Sequence, residues 1–125
     1  MFNHQVIDVA NEIDIINARI LVRQAARRLG MKLIDQSRIS LATSSLADAV
    51  GLGVGRSSGN IAIDFLHRNE DNRDGLQVTC SYKPFSFHDV VQPPLANLRW
   101  MVDECKVSNS PDEQTRVTLV MWLSS

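Results

Sequence analysis

The sequence predicts the α+β class: a two-layer α/β sandwich in which a mainly antiparallel sheet is covered on one face by three helices. Three observations predict it. Apolar residues recur at helical spacing in two long stretches before Gly51, and at alternating spacing in the segment NIAIDFL (Asn60 to Leu66). The polar run RNEDNRDG (Arg68 to Gly75) separates that segment from a second strand-like one, as a hairpin connection does. Taken in order, the signals read strand, helix, helix, hairpin, helix, hairpin, so helices and strands segregate into layers.

The elements follow along the chain. Gln5 to Val9 has a short β-like pattern. Asp14 stands where a helix N-cap is expected, and Ile15, Ala18, Val22, Ala25, Ala26 and Leu29 repeat along one face until Gly30, which predicts a helix over 15–29. Arg19, Arg23, Arg27 and Arg28 fall mostly off that stripe and read as a solvated face. Asp35 is the expected cap of a second helix carrying Ile39, Leu41, Ala42, Leu46, Ala47 and Val50, which stops at Gly51 and Gly53.

Ile61, Ile63 and Phe65 share one face of the next strand, and Leu76 to Ser81 is its return. Tyr82 to Pro93 is irregular. Beyond Pro94, the residues Leu95, Leu98, Met101, Val102 and Cys105 lie on one helical face, predicting a third helix of about three turns. Two last strands, Lys106 to Asn109 and Thr115 to Leu123, are joined at Ser110, Pro111 and Asp112. Trp100, Trp122 and the methionines read as core filling.

Bulk properties narrow the function classes. The 125 residues are expected to form a single domain, 1–125, with 44% apolar and 22% charged residues and a formal charge of -1. So balanced a charge supplies no field for nucleic acid or anionic lipid, and no interleaved aromatics accompany the arginines. There is no basic segment followed by an apolar run at the start, and nowhere the roughly 18 consecutive apolar residues of a membrane span. A cytoplasmic protein is expected. Cys80 and Cys105 lack metal-ligand spacing and read as reduced, buried thiols, and no metal site is expected.

Other candidate chemistry is thin. His4, His67 and His88 occur without a Cys, Asp or Glu at catalytic or ligand spacing, apart from the adjacent Asp89, whose side chain points away from His88 in extended backbone. Ser44 and Ser45 lack the Gly-x-Ser-x-Gly setting of a hydrolase. The GLGVG at 51–55 invites a phosphate-loop reading, but it follows a helix instead of opening one, so it reads as a helix cap and flexible connection.

The run DIINARILVRQAARRLGMKLIDQSRISLATSSLADAV resembles the first two helices of the RsbT-type anti-sigma regulatory factors, serine/threonine kinases of the GHKL (Bergerat) ATPase fold. The pieces NIAIDFL…GLQVTC, LANLRWMVDECKV and TRVTLVMWL match in order, so the resemblance spans nearly the whole chain as one HATPase-like domain. Its most specific parts are Asp35, Gln36, Arg38 and Ile39, the Met-Val-Asp-Glu at 101–104, and the Met-Trp-Leu end.

The resemblance implies ATP chemistry, and this chain departs from it at three places. The family's Glu-Leu-x-x-Asn helix motif, which supplies a general base and a Mg²⁺ ligand one turn apart, here reads Ser45-Leu46-Ala47-Asp48-Ala49. Serine is no general base near neutral pH, and alanine offers a cation no lone pair. Asp48 is displaced by about 100° around the helix from the Ala49 position. The family's adenine-binding Asp-x-Gly-x-Gly is replaced by Ser81-Tyr82-Lys83-Pro84-Phe85-Ser86, with Tyr82 as the third degenerate position. The glycine-rich lid shrinks to Asp89-Val90-Val91-Gln92-Pro93-Pro94.

These losses together predict a non-catalytic pseudokinase with no cofactor, retaining the family's partner-switching role in bacterial stress or sigma-factor regulation. The implied partners are STAS-domain antagonists, sigma factors, PP2C-type phosphatases or a complete RsbT-type kinase, with a homodimer as a further possibility. By the family's partner surfaces, Arg19, Arg23, Phe85, Phe87 and Val91 are the candidate contacts. The alternative is an active kinase using ATP and Mg²⁺ through Asp48, Asp89 or Lys83. A third reading is a sensor holding an apolar ligand near Tyr82, Phe85 and Phe87.

Overall fold

The structure, a computed structural model, describes residues 4–86, 93 and 95–124. Its elements are β1 (Gln5–Val9), α1 (Glu12–Arg28), α2 (Leu33–Ala49), β2 (Ser57–Arg68), β3 (Arg73–Pro84), α3 (Leu95–Leu98), β4 (Glu104–Asn109) and β5 (Thr115–Trp122). The strands form one sheet in the order β1-β2-β3-β5-β4, antiparallel at every pairing. This is the expected α+β sandwich.

Period-two alternation sets the layers. Ile61 and Ile63 on β2, Leu76, Val78, Cys80 and Tyr82 on β3, and Val117, Leu119 and Met121 on β5 are buried, while Gln77, Thr79, Thr118 and Asp64 on the opposite face are partly exposed. Against the apolar face lie Ile15, Ala18, Val22, Ala25 and Ala26 of α1 and Ile39, Ala42, Leu46 and Ala47 of α2. Alanines at these contacts let helices and sheet approach closely.

Both long helices end as their glycines predict. Gly30 (φ 85°) and Gly51 (φ 83°) are left-handed. At each end the glycine N–H and the next residue's N–H return to helix carbonyls, Gly30 to Arg27 and Met31 to Ala26, Gly51 to Asp48 and Leu52 to Ala47. The segment after α2 is held more firmly than a flexible connection: Arg56 N–H donates to the Gly51 carbonyl at 3.0 Å and Ser57 Oγ donates to the Val50 carbonyl at 2.7 Å.

The helix starts differ from expectation. α1 is capped by Asn11, whose Oδ1 accepts from the Asp14 N–H at 3.1 Å, while the Asp14 carboxylate accepts from the Ala10 N–H at 2.8 Å. Asp14 therefore sits inside the first turn and reaches back past the cap to the residue before it, a variation on the capping box, in which the cap's own N–H is the donor. α2 starts after Lys32 with no side-chain cap, and Asp35 places a negative charge in its first turn.

The largest difference is α3. It is one turn instead of about three, because Asp103 N–H donates to the Val120 carbonyl and Glu104 to Asn109 join the sheet beside β5. Leu98 and Val102 remain buried, but Trp100 is carried onto the turn and is 86% exposed, so it fills no core. Leu41 is likewise 49% exposed instead of buried, and Cys105 is only partly buried, whereas Cys80 lies in the core.

Candidate functional site

The degenerate positions lie on a groove. Ser45 and Ala49, one helical turn apart on α2, line an open cavity of about 490 Å³ whose other wall is Asn97, Leu98, Trp100 and Met101. Both residues are half-buried. Asp48 is not part of it. One residue of offset turns Asp48 to the α1 side, where it lines a groove of about 220 Å³ with Glu12, Ile15, Ile16, Arg19 and Ser44.

Polar groups on α2 are mostly tied to backbone. Thr43 Oγ1 donates to the Ile39 carbonyl at 2.8 Å, Ser44 Oγ to the Leu41 carbonyl at 3.2 Å, and Ser40 Oγ to the Arg19 carbonyl at 3.4 Å. Ser45, Asn97 and the indole N–H of Trp100 are the hydrogen-bonding groups among the described lining residues of the 490 Å³ groove, which include no carboxylate and no cationic group. These described residues by themselves supply neither the carboxylate oxygens that suit a hydrated Mg²⁺ nor the cations that suit a triphosphate.

Tyr82 is elsewhere. It is 2% exposed, on the helix-facing side of β3 beside Cys80, and burial pushes its phenol above the ordinary value, against a lowering by its hydrogen bond with Thr115. Phe85, just beyond β3, is 64% exposed and its N–H donates to the Arg56 carbonyl at 2.9 Å. Lys83 stands 3.9 Å from the exposed Glu113 carboxylate. Phe87, Val91 and Asp89 lie outside the described residues, as do the rest of the 89–94 segment except Pro93.

Arg19 and Arg23 are exposed on α1. Arg19 lines the groove with Asp48, and Arg23 lines a larger one of about 480 Å³ with Ile20, Gln24, Arg27, Leu33 and Gln36. Phe85 lines neither, so the two arginines share the exposed side of α1 while lining separate grooves, and the phenylalanine is not among them. Beside them the sequence reading missed an apolar stripe: Ile13, Ile16 and Ile20 are 67%, 50% and 48% exposed. Their i, i+3, i+7 spacing was visible, but it competes with the buried stripe of the same helix.

Two of the histidines, His4 and His67, are paired, contrary to expectation, while His88 lies outside the described residues. His4 meets Asp64, sixty residues away in sequence, and His67 meets Asp74 at 2.7 Å across the β2–β3 hairpin, where strand register sets them opposite each other. Both pairs are on the surface. Among the described residues no three His, Cys, Asp or Glu side chains gather as a metal site, and no helix is long and apolar enough to cross a membrane.

No protein-family model matches the chain. It is 25% identical over 136 aligned positions to the serine/threonine-protein kinase RsbT of Bacillus subtilis (strain 168), covering 98% of this chain and 99% of that one. Its fold matches a crystal structure of the RsbU and RsbW domains of Rv1364c from Mycobacterium tuberculosis with a TM-score of 0.64 and 17% identity. That match covers 96% of this chain and 32% of the longer one. End to end the chain is thus similar in sequence to the kinase RsbT, and its five-stranded antiparallel sheet with a helical cover is the fold found in the structure of the RsbU and RsbW domains.

Proposed function

We propose that the chain is a non-catalytic partner-switching protein of a bacterial stress-response or sigma-factor regulatory pathway, a pseudokinase that binds a STAS-domain, sigma-factor, phosphatase or related kinase partner. The observation that carries this reading is the outer face of α1, where Ile13, Ile16 and Ile20 are left in water beside Arg19 and Arg23. Three aliphatic side chains on one exposed helical stripe lose favourable burial in the free protein, and a partner surface restores it. The replacement of the family's base and Mg²⁺-ligand positions by Ser45 and Ala49, in a groove with no charged side chain among its described lining residues, supports this reading.

The kinase reading has one observation in its favour, the end-to-end similarity to a protein named as a serine/threonine kinase. Calorimetric titration of the full chain with ATP and Mg²⁺ separates the two. Silence at millimolar nucleotide, together with capture of a STAS or phosphatase partner that is lost in Arg19→Glu/Arg23→Glu, supports partner switching. Saturable Mg²⁺-dependent ATP binding with phosphate transfer to a STAS protein overturns it.

A further inference from the structure

Three pieces of the chain that stand out in the sequence and lie far apart along it meet at one cavity. Asp35 and Arg38 at the start of α2, residues 101–103 and residues 121–122 line an open hollow of about 200 Å³, together with Trp100 and Ser124. Arg38 lies about two helical turns, roughly 10 Å, nearer the start of α2 than Ser45 does, which sets this hollow apart from the groove at Ser45 and Ala49.

Packing does not account for the charges found there. Gln36 and Ile39, beside them on α2, are buried, and Gln36 Nε2 donates to the Met31 carbonyl at 2.9 Å, whereas Asp35 is half-buried and Arg38 exposed at the cavity. Asp103 is fixed from the β5 side: its N–H donates to the Val120 carbonyl at 3.0 Å and its Oδ2 accepts the Trp122 N–H at 2.7 Å. A carboxylate has acceptor sites beyond the one that this bond uses. Among the described residues no ion pair joins Arg38 to either aspartate.

Two carboxylates and one guanidinium in one small cavity select a ligand by charge. A guanidinium takes a carboxylate through two parallel N–H···O bonds, and an ammonium has three donors to divide between Asp35 and Asp103. An α-amino acid carries both groups on one carbon and meets both signs at once. A simple anion would also face the two aspartates, and a simple cation would also face Arg38. The volume is small beside sites that take drug-sized ligands and suits a molecule of roughly half a dozen heavy atoms.

We propose that this cavity binds a small zwitterionic α-amino acid, its carboxylate on Arg38 and its ammonium between Asp35 and Asp103. The site is independent of the α1 surface, so it stands or falls apart from the partner reading.

The test titrates the full isotope-labelled chain with alanine, and with acetate and methylammonium as singly charged controls, all at one ionic strength because salt screens partly exposed charges. The Arg38 Nε–H, the Asp103 backbone N–H and the Trp100 indole N–H signals are expected to shift together and saturate with alanine. Acetate and methylammonium are expected to bind at least tenfold more weakly. Arg38→Gln and Asp35→Asn are each expected to weaken alanine binding at least tenfold, and the three-probe series on the unaltered chain decides the matter even where a variant does not fold. The proposal is overturned by no saturable shift up to the solubility of alanine, by either control binding as tightly as alanine, or by a folded Arg38→Gln binding alanine like the unaltered chain.

Discussion

The Arg68 guanidinium lies 4.4 Å from the ring centroid of Trp122, and the same indole covers the backbone of Gly75 on the neighbouring strand. Trp122 Nε1 donates to Glu104 at 2.6 Å and its N–H to Asp103 at 2.7 Å, so one side chain joins the β2–β3 hairpin to the start of β4. A Cβ on Gly75 would stand 2.5 Å from the indole and 3.1 Å from the Met121 carbonyl oxygen. Gly75→Ala is therefore expected to destabilise the fold by about 1–3 kcal/mol, as overpacking does. Urea unfolding followed by tryptophan fluorescence measures it, and a midpoint equal to that of the unaltered chain would refute it.

Burial pushes the Cys80 thiol up to about 12, and partial burial at the sheet edge also raises Cys105, with Arg99 pulling the other way. A thiol held neutral in the fold ionises first in the unfolded chain. Its contribution is present in full below the ordinary thiol value and is lost as pH rises from there toward 12, at up to about 1.4 kcal/mol per pH unit. Cys80→Ala should flatten this alkaline limb. Alkylation with iodoacetamide near pH 8 should label Cys105 first and Cys80 only on unfolding.

At the hairpin tip Arg68 donates to both Asp71 oxygens, at 3.0 and 2.8 Å, and this hydrogen-bonded pairing holds the Asp71 carboxyl below its ordinary value. A lowered carboxyl contributes stability above its unfolded value that is lost as pH falls through the folded one. Asp71→Asn is expected to shallow the acid limb of the stability curve slightly, and to do so less at high salt because the pair is on the surface. An unchanged limb at low salt would show the pair to be without effect.

Asn11 satisfies the Asp14 N–H at the start of α1, so Asn11→Ala should cost about 1 kcal/mol. At the other end, Gly30→Ala meets no neighbouring atom but must adopt φ 85°, at a cost of about 1–2 kcal/mol. Thermal melts of the two single variants and the double should show nearly additive losses, since the sites are a helix apart.

Ile16→Asn and Arg23→Glu sit on exposed positions of α1. Each should alter stability by no more than about 0.5 kcal/mol. Each should also lower affinity for the cognate STAS or phosphatase partner at least tenfold, read by calorimetry. Partner affinity in both variants equal to that of the unaltered chain would place docking elsewhere.

By itself the sequence determined what depends on neighbours a few residues apart. Alternating Ile61 and Ile63 specified a strand with one buried face, and Gly30 and Gly51 specified the helix ends, since both signals act through local dihedrals and side-chain period. The turn-spaced pair Ser45 and Ala49 was legible in the same way. Only the tertiary structure decided matters in which distant groups compete. The pairing of 104–109 with β5 took residues that helical spacing had assigned to α3, and so exposed Trp100. Strand register brought His67 to Asp74. Of the two apolar stripes on α1, packing buried Ile15, Ala18 and Val22 and left Ile13, Ile16 and Ile20 outside, because a helix laid on a sheet can turn only one face toward it.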